Sequence, residues 1–150
     1  MTSKADFTPE EWETVVHGPA TASLIVITAQ RGGTFRETLA LAESYVEARK
    51  QRGQSELLDE VVAAKPALDH TRYRSAEELR QTGLQHLRAA IELLEQKATA
   101  DEVDGYRRFV VDLANRVANA HREDGTRVSN AEQAALDEIT GALGPPSGQA

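Results

Sequence analysis

The chain has 150 residues, 24 acidic against 17 basic side chains for a formal charge of -7, and no cysteine. That length makes one domain, long enough to bury a contiguous core without staples. The acidic balance repels phosphate backbones and anionic lipid, which argues against nucleic-acid and membrane-surface roles, and the lack of thiols removes disulfides, thiolate zinc sites and cysteine nucleophiles.

Residues 1–6 carry no apolar signal segment, so a cytoplasmic location is expected. Thr8-Pro9-Glu10-Glu11 opens the first predicted helix. Thr8 is its N-cap, Pro9 sits where a missing amide costs nothing, and Glu11 reaches back to close a capping box. Trp12, Val15 and Val16 then share a face. At Gly18-Pro19 a kink or a restart is expected, because proline gives no amide to the carbonyl four residues earlier. The residues that follow, 20–29, carry no charge and are apolar on nearly every side, the mark of a central element. Their β-branched members would suit a strand, but no second strand-like run offers a partner. At roughly ten residues the run is about half a bilayer span. Residues 19–30 are therefore expected to form a buried central helix.

After Gly32-Gly33, Thr34 and Glu37 make a second capping box. Phe35, Leu39, Ala42 and Val46 follow at helical spacing, with Leu41 and Tyr45 widening the stripe, and predict a helix to about residue 52. A shorter helix turns Leu57, Leu58, Val61 and Val62 inward, and residues 67–74 connect onward. Ser75 and Glu78 open a long helix with Leu84, Leu87, Ile91 and Leu94 at three-four spacing. Thr99 and Glu102 open the next, with Val103, Tyr106, Val110, Leu113 and Val117 inward and Phe109 and Ala114 beside them. Ser129 and Glu132 open the last, with Leu136, Ile139 and Leu143 inward, until Gly144-Pro145-Pro146 ends it. The sequence thus predicts an all-α single domain over residues 1–144, a compact bundle of about seven helices around the buried helix 19–30, with 145–150 a disordered tail.

Chemistry is harder to find. His17, His70, His86 and His121 lack the spacing of a helical metal motif and read as surface or cap residues. Gly32-Gly33 follows no strand and precedes no Gly-Lys-Ser/Thr, and no Gly-x-Ser-x-Gly elbow is present. The acid pairs Glu10-Glu11, Glu77-Glu78 and Asp101-Glu102 all fall in first helical turns, where negative charge meets the helix dipole favourably. The turn around Asp124-Gly125 fails as an EF-hand, since aligning its glycine puts Ala120 and Arg122 at ligand positions and Glu132 one residue late.

That same turn carries a resemblance. Ala120-x-x-x-Asp124-Gly125-x-x-Val128-Ser129-x-x-Glu132-x-x-Ala135-Leu136 has a faint echo at Ala29-Gln30-Arg31 and Glu37 to Leu41, and together they resemble the TerB-like domain, an all-helical domain named for tellurite-resistance proteins. The resemblance implies a role in metal or chemical stress responses and membrane-linked assemblies. It also nominates Asp124, Glu132 and Glu37 as divalent-metal positions, although Gln30 and Arg31 stand where an acidic residue would be expected. For Glu132 a capping role opposite Ser129 is the preferred reading. The expectation is a non-enzymatic, cytoplasmic interaction or stress-response module without a cofactor, a monomer or homodimer with a protein partner. The alternatives are a divalent-cation binder using the acidic turns, or a bundle that binds a small molecule between helices.

Overall fold

The computed structural model describes residues 4–29, 34–50, 56–63, 75–122 and 130–144, and expectations for the remaining positions, Asp124 and the tail 145–150 among them, lie outside the described residues. Among the described residues every regular element is helical. A 3₁₀ turn (Lys4–Asp6) precedes α1 (Pro9–Ala29), α2 (Thr34–Lys50), α3 (Glu56–Ala63), α4 (Ala76–Lys97), α5 (Ala100–Arg122) and α6 (Asn130–Leu143).

The helix starts follow the capping pattern. The Thr8 amide donates to Glu11 Oε1 at 2.9 Å while Glu11 donates its amide to Thr8 Oγ1 at 3.2 Å. Thr99 and Glu102 repeat the exchange at 3.0 and 3.2 Å. At α4 the Ser75 hydroxyl accepts from the Glu78 amide at 3.1 Å. An N-cap hydroxyl of this kind contributes about 1 kcal/mol. At the other end of the chain Gly144 takes a left-handed φ of 80° and donates its amide to the Thr140 carbonyl, which closes α6.

Among the described residues six α-helices rather than about seven are seen, because the segments on either side of Gly18-Pro19 are one helix. Of the expected separate helix 19–30, residues 19–29 are the second half of α1, and Gln30 lies outside the described residues. Its position is as expected: α1 touches each of the other five helices, α4 most extensively, and residues 18–26 are buried without a break. Ile25 and Val26 are almost wholly enclosed. Small residues set the α1–α4 distance, since a Cβ on Gly83 would lie 2.9 Å from Ile25 Cδ1 and 3.0 Å from Thr21 Cγ2. Leu87, Ile91 and Leu94 of α4, Val110, Leu113 and Val117 of α5 and Ile139 and Leu143 of α6 complete the core as their spacing predicts.

The α2 stripe differs from expectation. Val46 is 48 % exposed and Ala42 is exposed, whereas Ser44 is buried; Tyr45 is buried, as its place in the widened stripe predicts. The inward face of this half of α2 is therefore rotated from the 35-39-42-46 line onto 44-45. Tyr45 carries more apolar area than Val46 and sets its ring edge-on to Phe109, with centroids 5.7 Å apart.

Candidate binding cleft

In α1, Pro19 has no amide to give to the Val15 carbonyl, and its ring crowds that oxygen. Tyr106 of α5, fully buried, donates its hydroxyl to the Val15 carbonyl at 2.6 Å. One residue earlier the Thr14 carbonyl lies 2.9 Å from His86 Nε2 of α4, so that nitrogen carries the proton and donates. Gly18 makes room: a Cβ there would overlap the Tyr106 hydroxyl. These groups explain how a helix runs unbroken through a proline. They also correct the surface or cap reading of His86, which is half-buried and bridges two helices.

Burial pushes the Tyr106 and Tyr45 hydroxyls to higher pKa, so both stay neutral and neither is a base. Arg107 is buried and spends its guanidinium on the α6 terminus, with Nε donating to the Leu143 carbonyl at 2.8 Å and further contacts to Asp104 and Glu95. Glu11 and Glu102 are engaged as caps, and Lys97 pairs with Glu11 at 3.0 Å. Apart from the Tyr45 hydroxyl, which has no partner among the described residues, these polar groups drawn inward thus serve the fold.

Of the positions named as metal ligands, Glu37 and Glu132 lie on separate helices. Glu37 lies in the first turn of α2 and Glu132 in the first turn of α6, with side chains outside the described set, as is Asp124 altogether. Among the described residues no group of three or more histidine, aspartate or glutamate side chains is gathered as a metal site. No helix among them is long and apolar enough to cross a membrane.

Among the described residues a cleft of about 100 Å³ opens between α2 and α5, lined by Ser44, Glu47 and Ala48 on one side and Phe109, Asp112, Leu113 and Arg116 on the other. Helical spacing places these side chains together: 44, 47 and 48 share one face of α2, and 109, 112, 113 and 116 share one face of α5. Leu113 and Ser44 are buried and Phe109 is half-buried, while Glu47, Asp112 and Arg116 stand exposed at the rim. Asp112 and Arg116 are one turn apart in the order that favours pairing, and Glu47 faces them across the cleft. Yet among the described residues none of the three takes part in an ion pair within 4.0 Å. Sequence reasoning missed this cleft because Glu47, Asp112 and Arg116 look like ordinary solvated positions. Only the placement of α2 on α5 brings them to one opening.

No family model, no curated protein and no solved structure matches the chain.

Proposed function

We propose that this protein is a non-enzymatic helical binding module whose contact surface is the α2–α5 cleft. The observation that carries this reading is the contrast in how charge is used. The inward-facing polar groups Tyr106, His86, Arg107 and Glu102 are tied to backbone atoms, whereas the cleft holds charges of both signs that do not close on each other. Groups committed to backbone are poor proton carriers, and open charges around an apolar floor are suited to holding something. The resemblance of residues 120–136 to TerB-like turns supports a cytoplasmic interaction or stress-response setting for such a module.

Native mass spectrometry of freshly purified protein tests the reading. The expected species is the chain, alone or as a homodimer, with or without a non-metal adduct. An increment of a divalent cation that a chelator removes would instead favour the acidic-turn metal reading. In that case saturating calcium or magnesium, at a hundred times the dissociation constant, would raise stability by about 2.7 kcal/mol. Multiple turnover of any substrate at the cleft would overturn the module reading altogether.

A further inference from the structure

The geometry points to a small zwitterion, an amino acid or short ω-amino acid, as the ligand of the α2–α5 cleft, with its ammonium toward Glu47 and Asp112 and its carboxylate on Arg116. The inference rests on the cleft being the binding surface and adds what the cleft receives. Size is the first argument. A cleft of about 100 Å³, open at its rim, has room for a short ligand with a charge at each end and encloses too little to bury a nucleotide or a sugar chain whole.

Charge is the second argument. A simple anion would meet Arg116 but also the two carboxylates, and a simple cation would meet the carboxylates but also Arg116. Only a ligand carrying both charges pairs with all three rim groups at once. Arg116 offers a planar fork matched to a carboxylate, and Glu47 and Asp112 accept from an ammonium. The half-buried ring of Phe109, braced edge-on by Tyr45, lines the cleft with Leu113 for the short methylene stem and adds an aromatic surface attractive to the ammonium. Asp112 and Arg116 stay apart although their spacing permits a pair, so the ligand need not break an ion pair to enter. The site is small and its rim is exposed, so affinity in the millimolar range is expected.

The test is a titration of the full chain, isotope-labelled, followed by amide NMR shifts. The probes are glycine, β-alanine and γ-aminobutyrate, which step the distance between the two charges. Propionate and ethylamine are the single-charge controls. Expected are saturable shifts confined to residues 44–48 and 109–116 with at least one amino acid, and binding about tenfold or more weaker for both controls, since ethylamine lacks the charge-assisted contact to Arg116 and propionate lacks those to Glu47 and Asp112. Arg116→Ala and Glu47→Gln, both exposed changes, should abolish those shifts while leaving the melting temperature and the rest of the spectrum in place. If ethylamine binds as well as the zwitterions and Arg116→Ala leaves it unaffected, the ligand class is wrong while the cleft remains a binding surface. If no probe moves the cleft resonances, the zwitterion inference fails, and the module reading stands or falls separately on the native mass measurement.

Discussion

The Tyr106 hydroxyl donates at 2.6 Å to the carbonyl of Val15, the acceptor that Pro19 leaves without an amide. A proline in the interior of a helix costs about 3 kcal/mol, in part because that oxygen goes unpaired. Here a second helix supplies the missing donor. Tyr106→Phe should therefore cost about 1–3 kcal/mol, the penalty of a buried carbonyl left alone. Pro19→Ala returns an amide to position 19, so in that background the same Tyr106→Phe change should cost much less. A double-mutant cycle by chemical denaturation should give a coupling of about 1 kcal/mol or more. Strictly additive effects would show that the two residues do not share the carbonyl.

Tyr45 should behave in the opposite way. Its hydroxyl is buried and has no hydrogen-bond partner among the described residues, so Tyr45→Phe removes a desolvated group and keeps the ring packed on Phe109. A stability gain of about 1 kcal/mol is expected. The pH dependence follows from the raised pKa, for which burial is the leading cause. Below pH about 10 both folded and unfolded chains keep the phenol neutral, and its contribution is intact. Above that the unfolded chain ionises first, so stability falls by up to about 1.4 kcal/mol per pH unit for each such tyrosine. Denaturant melts between about pH 9 and pH 11 should fall less steeply for Tyr45→Phe than for the parent, and equal slopes would contradict the burial argument.

Much of this architecture is legible because periodicity reports burial. The stripes of α4 and α5 and the apolar run of α1 appear in the core as spacing predicts, and the Thr8, Ser75 and Thr99 caps form the expected bonds. Residues 9–29 are one helix rather than two, because local sequence shows what Pro19 lacks while the compensating donor lies 91 residues away. The rotation of α2 is hidden for a related reason: Val46 and Tyr45 are both apolar neighbours, and only packing against Phe109 decides between them. A partial signal for Tyr106 and His86 does exist. An interior proline demands a donor, and a tyrosine and a histidine on predicted helices are available to give one.

Glycines separate packing from propensity. Gly18→Ala should be destabilising by about 2 kcal/mol or more, since the new methyl would overlap the Tyr106 hydroxyl and lie 3.3 Å from its Cζ. Gly141, exposed in α6 with no atom within 4 Å of where a Cβ would stand, should give the reverse. Gly141→Ala is expected to gain about 0.5–1 kcal/mol by restricting the unfolded chain. Thermal melts of the two variants should move in opposite directions.

Arg107 holds the end of α6 to α5. Its Nε donates to the Leu143 carbonyl, and its terminal nitrogens reach Asp104 at 3.2 Å and Glu95 at 3.4 Å. Lysine cannot reproduce that fork, so Arg107→Lys should lose nearly as much as Arg107→Ala, about 2–4 kcal/mol. Hydrogen exchange should show the amides of residues 139–143 losing protection in both variants. Rescue by lysine would mean that charge alone matters and the fork does not.

Glu11 gives the acid-side counterpart of the tyrosines. The Thr8 backbone amide first, and Lys97 next, hold its carboxyl below the ordinary carboxylate range. A depressed folded-state pKa contributes stability that is present above the unfolded value of 4.5 and is lost as pH falls through the lowered one. Glu11→Gln should therefore melt lower than the parent at neutral pH, and the gap should close as the solution is taken below pH 4.5 toward the lowered pKa. Raising the salt concentration should shrink only the part due to Lys97, since the carboxylate is exposed and the amide bond is local. Lys97→Met should remove that salt-sensitive part and leave the rest of the pH-dependent gap, because Thr8 still donates to the carboxylate. A gap between parent and Glu11→Gln that persists unchanged into strong acid would show that the side chain acts through packing, and the capping account of this helix start would be wrong.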